Sequence, residues 1–184
     1  MPAEALTEAL SRISALEDQV AALATPARID SELWSGSNVT ITDGSSGKWR
    51  ALRRMTLADI QAGDEYDISA QYALRNDTGW NVELGVAIVF VTDSTPPGEA
   101  TGAHPNTAYP GTLVGTTNGS NITPGNHYGQ PLKCERWVAP SDVPSAGWLL
   151  MLVRARCSAA DGSQILTQLV DQQSFTARRF RAPA

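Results

Sequence analysis

Cysteine and histidine are scarce in this chain of 184 residues, with two of each. Two cysteines, Cys134 and Cys157, are too few for a disulfide scaffold, and whether they pair with each other stays open. Cys157 lies in an apolar run and reads as a small buried hydrophobe. His104 and His127 stand alone in loop-like segments, whereas a metal site needs several ligands at suitable spacing, so no metal or cofactor is expected. Long apolar runs are missing as well. None approaches the roughly 18 residues of a membrane-spanning helix. The first residues also lack the basic and apolar segments of a secretory signal. The expectation is a protein made in the cytoplasm that leaves it in a particle or by lysis.

Positive charge is in short supply: 14 Lys and Arg stand against 19 Asp and Glu, a net charge of −5. Nucleic acid needs a clustered basic surface, so it is not the expected partner. The gatherings at Arg50, Arg53 and Arg54, and at Arg178, Arg179 and Arg181, read as solvated strand faces or contacts to acidic neighbours. Catalytic signatures are absent too. There is no Gly-x-Ser-x-Gly and no phosphate-cradling glycine loop. Asp64 and Glu65 form a carboxylate pair, but glycoside hydrolysis needs two carboxyls across a cleft, and adjacent strand residues point to opposite faces. No enzyme activity is expected.

What is present begins with a heptad. With Leu6 at position a, Leu6, Ile13 and Val20 occupy a, and Ala9, Leu16 and Leu23 occupy d. A 3.5-residue apolar repeat keeps one seam turned to partner helices. Arg12 falls at g and Glu17 at the following e, where an interhelical ion pair flanks the seam. Leu10, at e, widens the stripe beyond a two-helix seam. Alanines raise helix propensity, and Thr25-Pro26 ends the helix because the residue before proline is pushed out of the α region. The alternative is a monomeric amphipathic helix packed on its own domain. Three heptads are short, and an isolated helix of this length is marginal in water, so the remaining chain must share in holding any oligomer.

After residue 37 the period changes from helical to two. Val39 to Thr42 alternates into the turn Asp43-Gly44-Ser45-Ser46-Gly47. Residues 64–75 place Tyr66, Ile68, Ala70, Tyr72 and Leu74 on one face, and residues 80–92 do the same with Val82, Leu84, Val86, Ile88 and Phe90. Asn76-Asp77-Thr78-Gly79 between them predicts a hairpin. Further strands are expected at 112–116, 133–138, 148–157, 164–170 and 175–181, with a hairpin turn at Asp161-Gly162. Loops are expected at 93–110 and 117–131; both are rich in proline and glycine. The fold class is mainly β: an N-terminal helical parallel trimeric coiled coil (1–25), a linker (26–37) and an antiparallel β-sandwich head of jelly-roll type (38–184).

The hexapeptide Arg12-Ile13-Ser14-Ala15-Leu16-Glu17 resembles the trimerisation motif of parallel coiled coils. Together with the proline break and the β head, it resembles phage virion proteins: head fibres, decoration proteins and receptor-binding tips. Residues 60–70, with a Gly-Asp turn before alternation, and 75–85 look like the entry strand and following hairpin of such heads. The resemblance implies a non-enzymatic homotrimer in the virion whose partners are its own copies, other virion proteins such as capsid or tail, and a host-surface glycan; no membrane is involved. The oligomerisation residues are then Leu6, Ala9, Arg12, Ile13, Leu16, Glu17, Val20 and Leu23. Tyr109, His127 and Tyr128, rings in polar loops, suit sugar stacking, unless they cap the sandwich or pack a trimer interface. The alternative function is a carbohydrate-binding module or a tail tip that recognises host glycans.

Overall fold

A computed structural model describes residues 3–24, 26–33, 40–41, 48–76, 79–125, 127–157, 166–168 and 173–181. The chain opens with helix α1, Ala3–Ala24. Among the described residues twelve strands and one further helical turn follow: β1 Ala27–Asp30, β2 Glu32–Leu33, β3 Thr40–Ile41, β4 Lys48–Leu57, β5 Glu65–Asn76, β6 Val82–Val91, β7 Glu99–Thr101, α2 Pro105–Ala108, β8 Thr112–Ile122, β9 His127–Val138, β10 Gly147–Cys157, β11 Leu166–Gln168 and β12 Ser174–Phe180. All the pairings among these strands are antiparallel, in two sheets. In the first, β5 lies between β9 on one edge and β12 with β11 on the other, and β1 and β3 flank those two. The second runs β2–β4–β10–β6–β8, with β7 also on β4. The chain changes sheet from β4 to β5, β5 to β6, β8 to β9 and β9 to β10, which is the jelly-roll habit.

The two inner faces build the main core. Tyr66, Ile68, Ala70 and Tyr72 of β5 meet Val82, Leu84, Val86, Ile88 and Phe90 of β6, with Leu149, Met151 and Val153 of β10. Both alternating faces therefore point where the period-two pattern puts them. Their pairing differs from expectation: β5 and β6 are not a hairpin but belong to opposite sheets. The physical reason is at Asn76. Its buried side-chain amide donates to the Trp80 carbonyl at 2.7 Å and to the Ile122 carbonyl at 2.9 Å, so the crossing from β5 to β6, an arch from one sheet to the other, is tied at Asn76 and Trp80. The Gly125 amide donates to the Asn76 carbonyl at 2.7 Å, which ties in the β8–β9 crossing.

The loop expected at 117–131 is another correction: β8 runs on to Ile122 and β9 starts at His127, leaving a short crossing between sheets. Part of the linker expected at 26–37 is strand, and residues 34–37 lie outside the described residues. Ala27–Asp30 pairs with β12, and Glu32–Leu33 pairs with β4, so the chain enters directly into both sheets. Segment 93–110 contains β7 and α2 and lies over the second sheet. There Trp49, Ala87, Val89, Leu150 and Leu152 form a smaller core beneath Ala108 and Tyr109. Strand β6 is thus buried on both faces. Trp34 and the turns at 43–47 and 161–162 lie outside the described residues.

Cys134 pairs in register with Ile68, and Cys157 with Val82. These are different levels of opposite sheets, separated by roughly 25 Å of strand. A disulfide requires Cα atoms within about 7 Å.

Candidate functional site

Helix α1 shows what its sequence asks for and does not satisfy alone. Leu6 is 53% exposed, Ile13 51%, Leu16 58% and Val20 64%, and Leu10 beside them is 58% exposed. Ala9, Arg12 and Glu17 are also exposed; the side chain of Leu23 lies outside the described residues. These positions form one stripe at heptad spacing. Leaving such side chains in water forgoes roughly 1 kcal/mol or more apiece. Arg12 and Glu17, beside the stripe, are exposed as well.

The register gives the head two unlike ends. Ala27 pairs with Arg179, and Arg179 with Tyr66, so the chain coming from α1 enters where β5 begins. At this end the fully buried Asp64 accepts from Arg181 Nη1 at 3.0 Å and from the Gln61 amide at 3.1 Å. Arg181 also donates to the carbonyl of Asp59, whose φ of 51° is uncommon outside glycine, and Arg179 donates to the Ala58 carbonyl at 2.7 Å. Arg179 of β12 and Arg181 just after that strand thereby clamp the 58–64 turn. Burial pushes the Tyr66 hydroxyl upward in pKa beside this cluster. Glu65, the other carboxylate of the pair, turns the opposite way and binds Arg136.

The far end, roughly 35 Å away along β5, carries the Asn76 arch. Trp80 is 53% exposed there, while Trp49 and Trp137 are buried and Trp148 is partly so. Trp80 opens the segment 80–92, and no pattern in the sequence marked its ring as exposed.

Of the three expected glycan contacts, only Tyr109 has a described side chain. Tyr109 is 1% exposed; its ring packs in the smaller core with Trp49, and its hydroxyl donates to the Trp49 carbonyl at 3.4 Å. Tyr109 is therefore not a surface ring, because the second apolar face of β6 draws it inward. Burial raises the pKa of its hydroxyl. Arg154 lies over the Trp49 ring at 4.8 Å and donates to the Ala103 carbonyl at 3.1 Å, and Glu99 bridges Lys48 and Arg50 at 2.9 and 2.5 Å. These contacts pin the covering segment. Gly102 allows the fit, since a Cβ there would sit 2.7 Å from the Ala108 nitrogen. Replacing Tyr109 by Phe should cost no more than about 1 kcal/mol, because only one long hydrogen bond is lost; a urea midpoint checks it. His127 and Tyr128 start β9 opposite Arg75 and Leu74, at the far end of the head, and their side chains lie outside the described residues.

Among the described residues no group of His, Cys, Asp or Glu could hold a metal ion, and no helix is long and apolar enough to cross a membrane. No family model and no curated protein matches the chain. Solved structures do. A mutant VP2 protein of infectious bursal disease virus, in derived T=1 particles, superposes with a TM-score of 0.50 at 13% identity, over 83% of this chain and 31% of that one. The structure of the Gt strain of the same virus gives 0.49 at 13% identity, over 84% and 32%. A xylan-binding domain from Paenibacillus barcinonensis gives 0.33 at 8% identity, over 85% and 95%. The first of these shows a shared fold; the other two scores carry no argument. The chain spans about a third of the length of the viral chains it matches. Its head therefore has a fold found in a viral particle protein.

Proposed function

We propose that this protein is a non-enzymatic structural component of a bacteriophage particle, a homotrimeric head fibre or decoration protein. One observation carries the reading: a 22-residue helix holds five large apolar side chains more than half in water along a single heptad stripe. A stripe of that kind is completed by parallel copies of itself. The shared fold with a viral particle protein supports the setting. The α1 stalk either attaches to the particle or projects the head from it, and other virion proteins are its partners.

Mass measurement in solution tests the oligomer. Light scattering at micromolar concentration should return three chains; a monomer contradicts the reading. Purified particles should contain the protein in a copy number divisible by three, and its absence from them would remove the virion role. Arg12→Ala should weaken association by only about 0.2–1 kcal/mol, the range of an exposed ion pair. The head should stay folded in this variant, which circular dichroism checks.

The second reading, recognition of a host-surface glycan by the head, is favoured by the solvent-facing indole at the end away from the stalk.

A further inference from the structure

Only three peptide steps separate Ala24, at the end of α1, from Ala27, at the start of β1. They span at most about 11 Å. Parallel helices in a bundle lie about 8–10 Å apart. Copies joined along the α1 stripe therefore bring their β1 strands close to the shared axis, whatever path the two residues between take. So short a tether holds the heads at a high effective concentration. The stalk alone is marginal, so contacts between heads beside β1 have the most to add.

Among the described strands β1 is an edge of the first sheet, and it is short and charged. Arg28 and Asp30 keep 69% and 63% of their side-chain surface in water. Their mutual ion pair at 2.9 Å is exposed and therefore weak, so either charge can turn to a neighbour. In register they lie opposite Arg178 and Thr176 of β12. On that same outer face a groove of about 340 Å³ runs between β12 and β5, lined by Asp67, Ile68, Ser69, Thr176 and Arg178. Arg178 has Arg28 across from it on one side and Asp67 on the other. Like charges set across strands are unfavourable, and among the described residues neither Arg178 nor Asp67 forms an ion pair. The edge thus offers one cation and one anion, and the groove offers one of each, at a comparable separation of about 5–7 Å. Under threefold rotation the edge of each copy meets the groove of the next, and the ring closes.

We propose that the β1 edge of one copy seats on the groove between β12 and β5 of the next, Arg28 against Asp67 and Asp30 against Arg178, so that the heads share in holding the trimer. This rests on the trimer reading. The occupant is a second copy because the tether places it beside the groove and its charges match. Solution mass of the full-length chain over a dilution series is the test. D67R should raise the concentration at which the trimer dissociates by on the order of tenfold, since three ion pairs are lost together. Adding R28D should restore most of it. Within one chain Arg28 and Asp67 stand two strands apart, about 10 Å, so they pair only between copies. Circular dichroism should match wild type in both variants. D67R dissociating as wild type does overturns the proposal, and so does a double variant no tighter than D67R. If a charge variant does not fold, R28C/D67C decides. Its cysteines are too far apart to bridge within a chain, and oxidation should link chains into covalent trimers, which neither single variant can close. A product that stays single-chain overturns the proposal. A monomeric wild type sinks the trimer reading and this surface with it, whereas a trimeric wild type indifferent to D67R sinks the surface alone.

Discussion

Asp64→Ala should destabilise the head by about 3 kcal/mol, at the low end of what breaking a buried ion pair costs. The asymmetry between the partners sets the figure. Asp64 has no exposure, while the Arg181 side chain keeps 28% of its surface in water, so the cation left behind is partly solvated. The Gln61 amide also loses its acceptor, and the 58–64 turn, with Asp59 in the left-handed region, loses the group around which it is folded. For a chain of this length the loss corresponds to a fall of roughly 6–12 °C in melting temperature. Asp64→Asn should cost less, since an amide oxygen can still accept from Gln61. Arg181→Ala should cost at least as much as Asp64→Ala, because it strands the fully buried charge. Denaturant midpoints for the three variants check the ordering. A loss below about 0.5 kcal/mol for Asp64→Ala would mean that the clamp by β12 does not need its ion pair.

The alternation of Tyr66, Ile68, Ala70 and Tyr72 made one face of β5 legible, and that of Val82 to Phe90 did the same for β6. Period two says which face is buried and is silent about which strand lies alongside. The Asn76-Asp77-Thr78-Gly79 string suits a turn of either kind, so an arch between sheets was read as a hairpin. Strand β4 was hidden for a different reason. Its register against β10 shifts between Met151 and Leu152, leaving Leu52 as an extra residue, and Ala51 and Leu52 then face different cores. A bulge of this kind erases the alternation by which a strand is recognised. Strands β1 and β2 are too short and too charged to show a period at all. The misplacement of Tyr109 had a signal that could have prevented it. Ala87, Val89 and Val91 make β6 apolar on both sides, the pattern of a strand covered on both faces, and the following segment was the available cover. Nothing comparable pointed to Trp80, since its exposure follows from how the arch is tied.

Asn76→Ala should cost the head about 2–4 kcal/mol, because two carbonyls, those of Trp80 in a part-buried bond and Ile122 in a buried one, lose one donor each. The Ile122 bond is the more buried of the two and should account for most of the loss. Asn76→Asp separates this from simple loss of volume. It keeps the shape of the side chain but sets a carboxylate against two carbonyl oxygens, so it should be worse than alanine. If the side chain merely fills space, the aspartate variant would instead be the milder one. The backbone bond from Gly125 to Asn76 survives both changes, so β8 and β9 should stay joined while the 76–82 arch loosens. Hydrogen exchange should then report faster opening around Val82 and Ile122, with the 58–64 end unaffected.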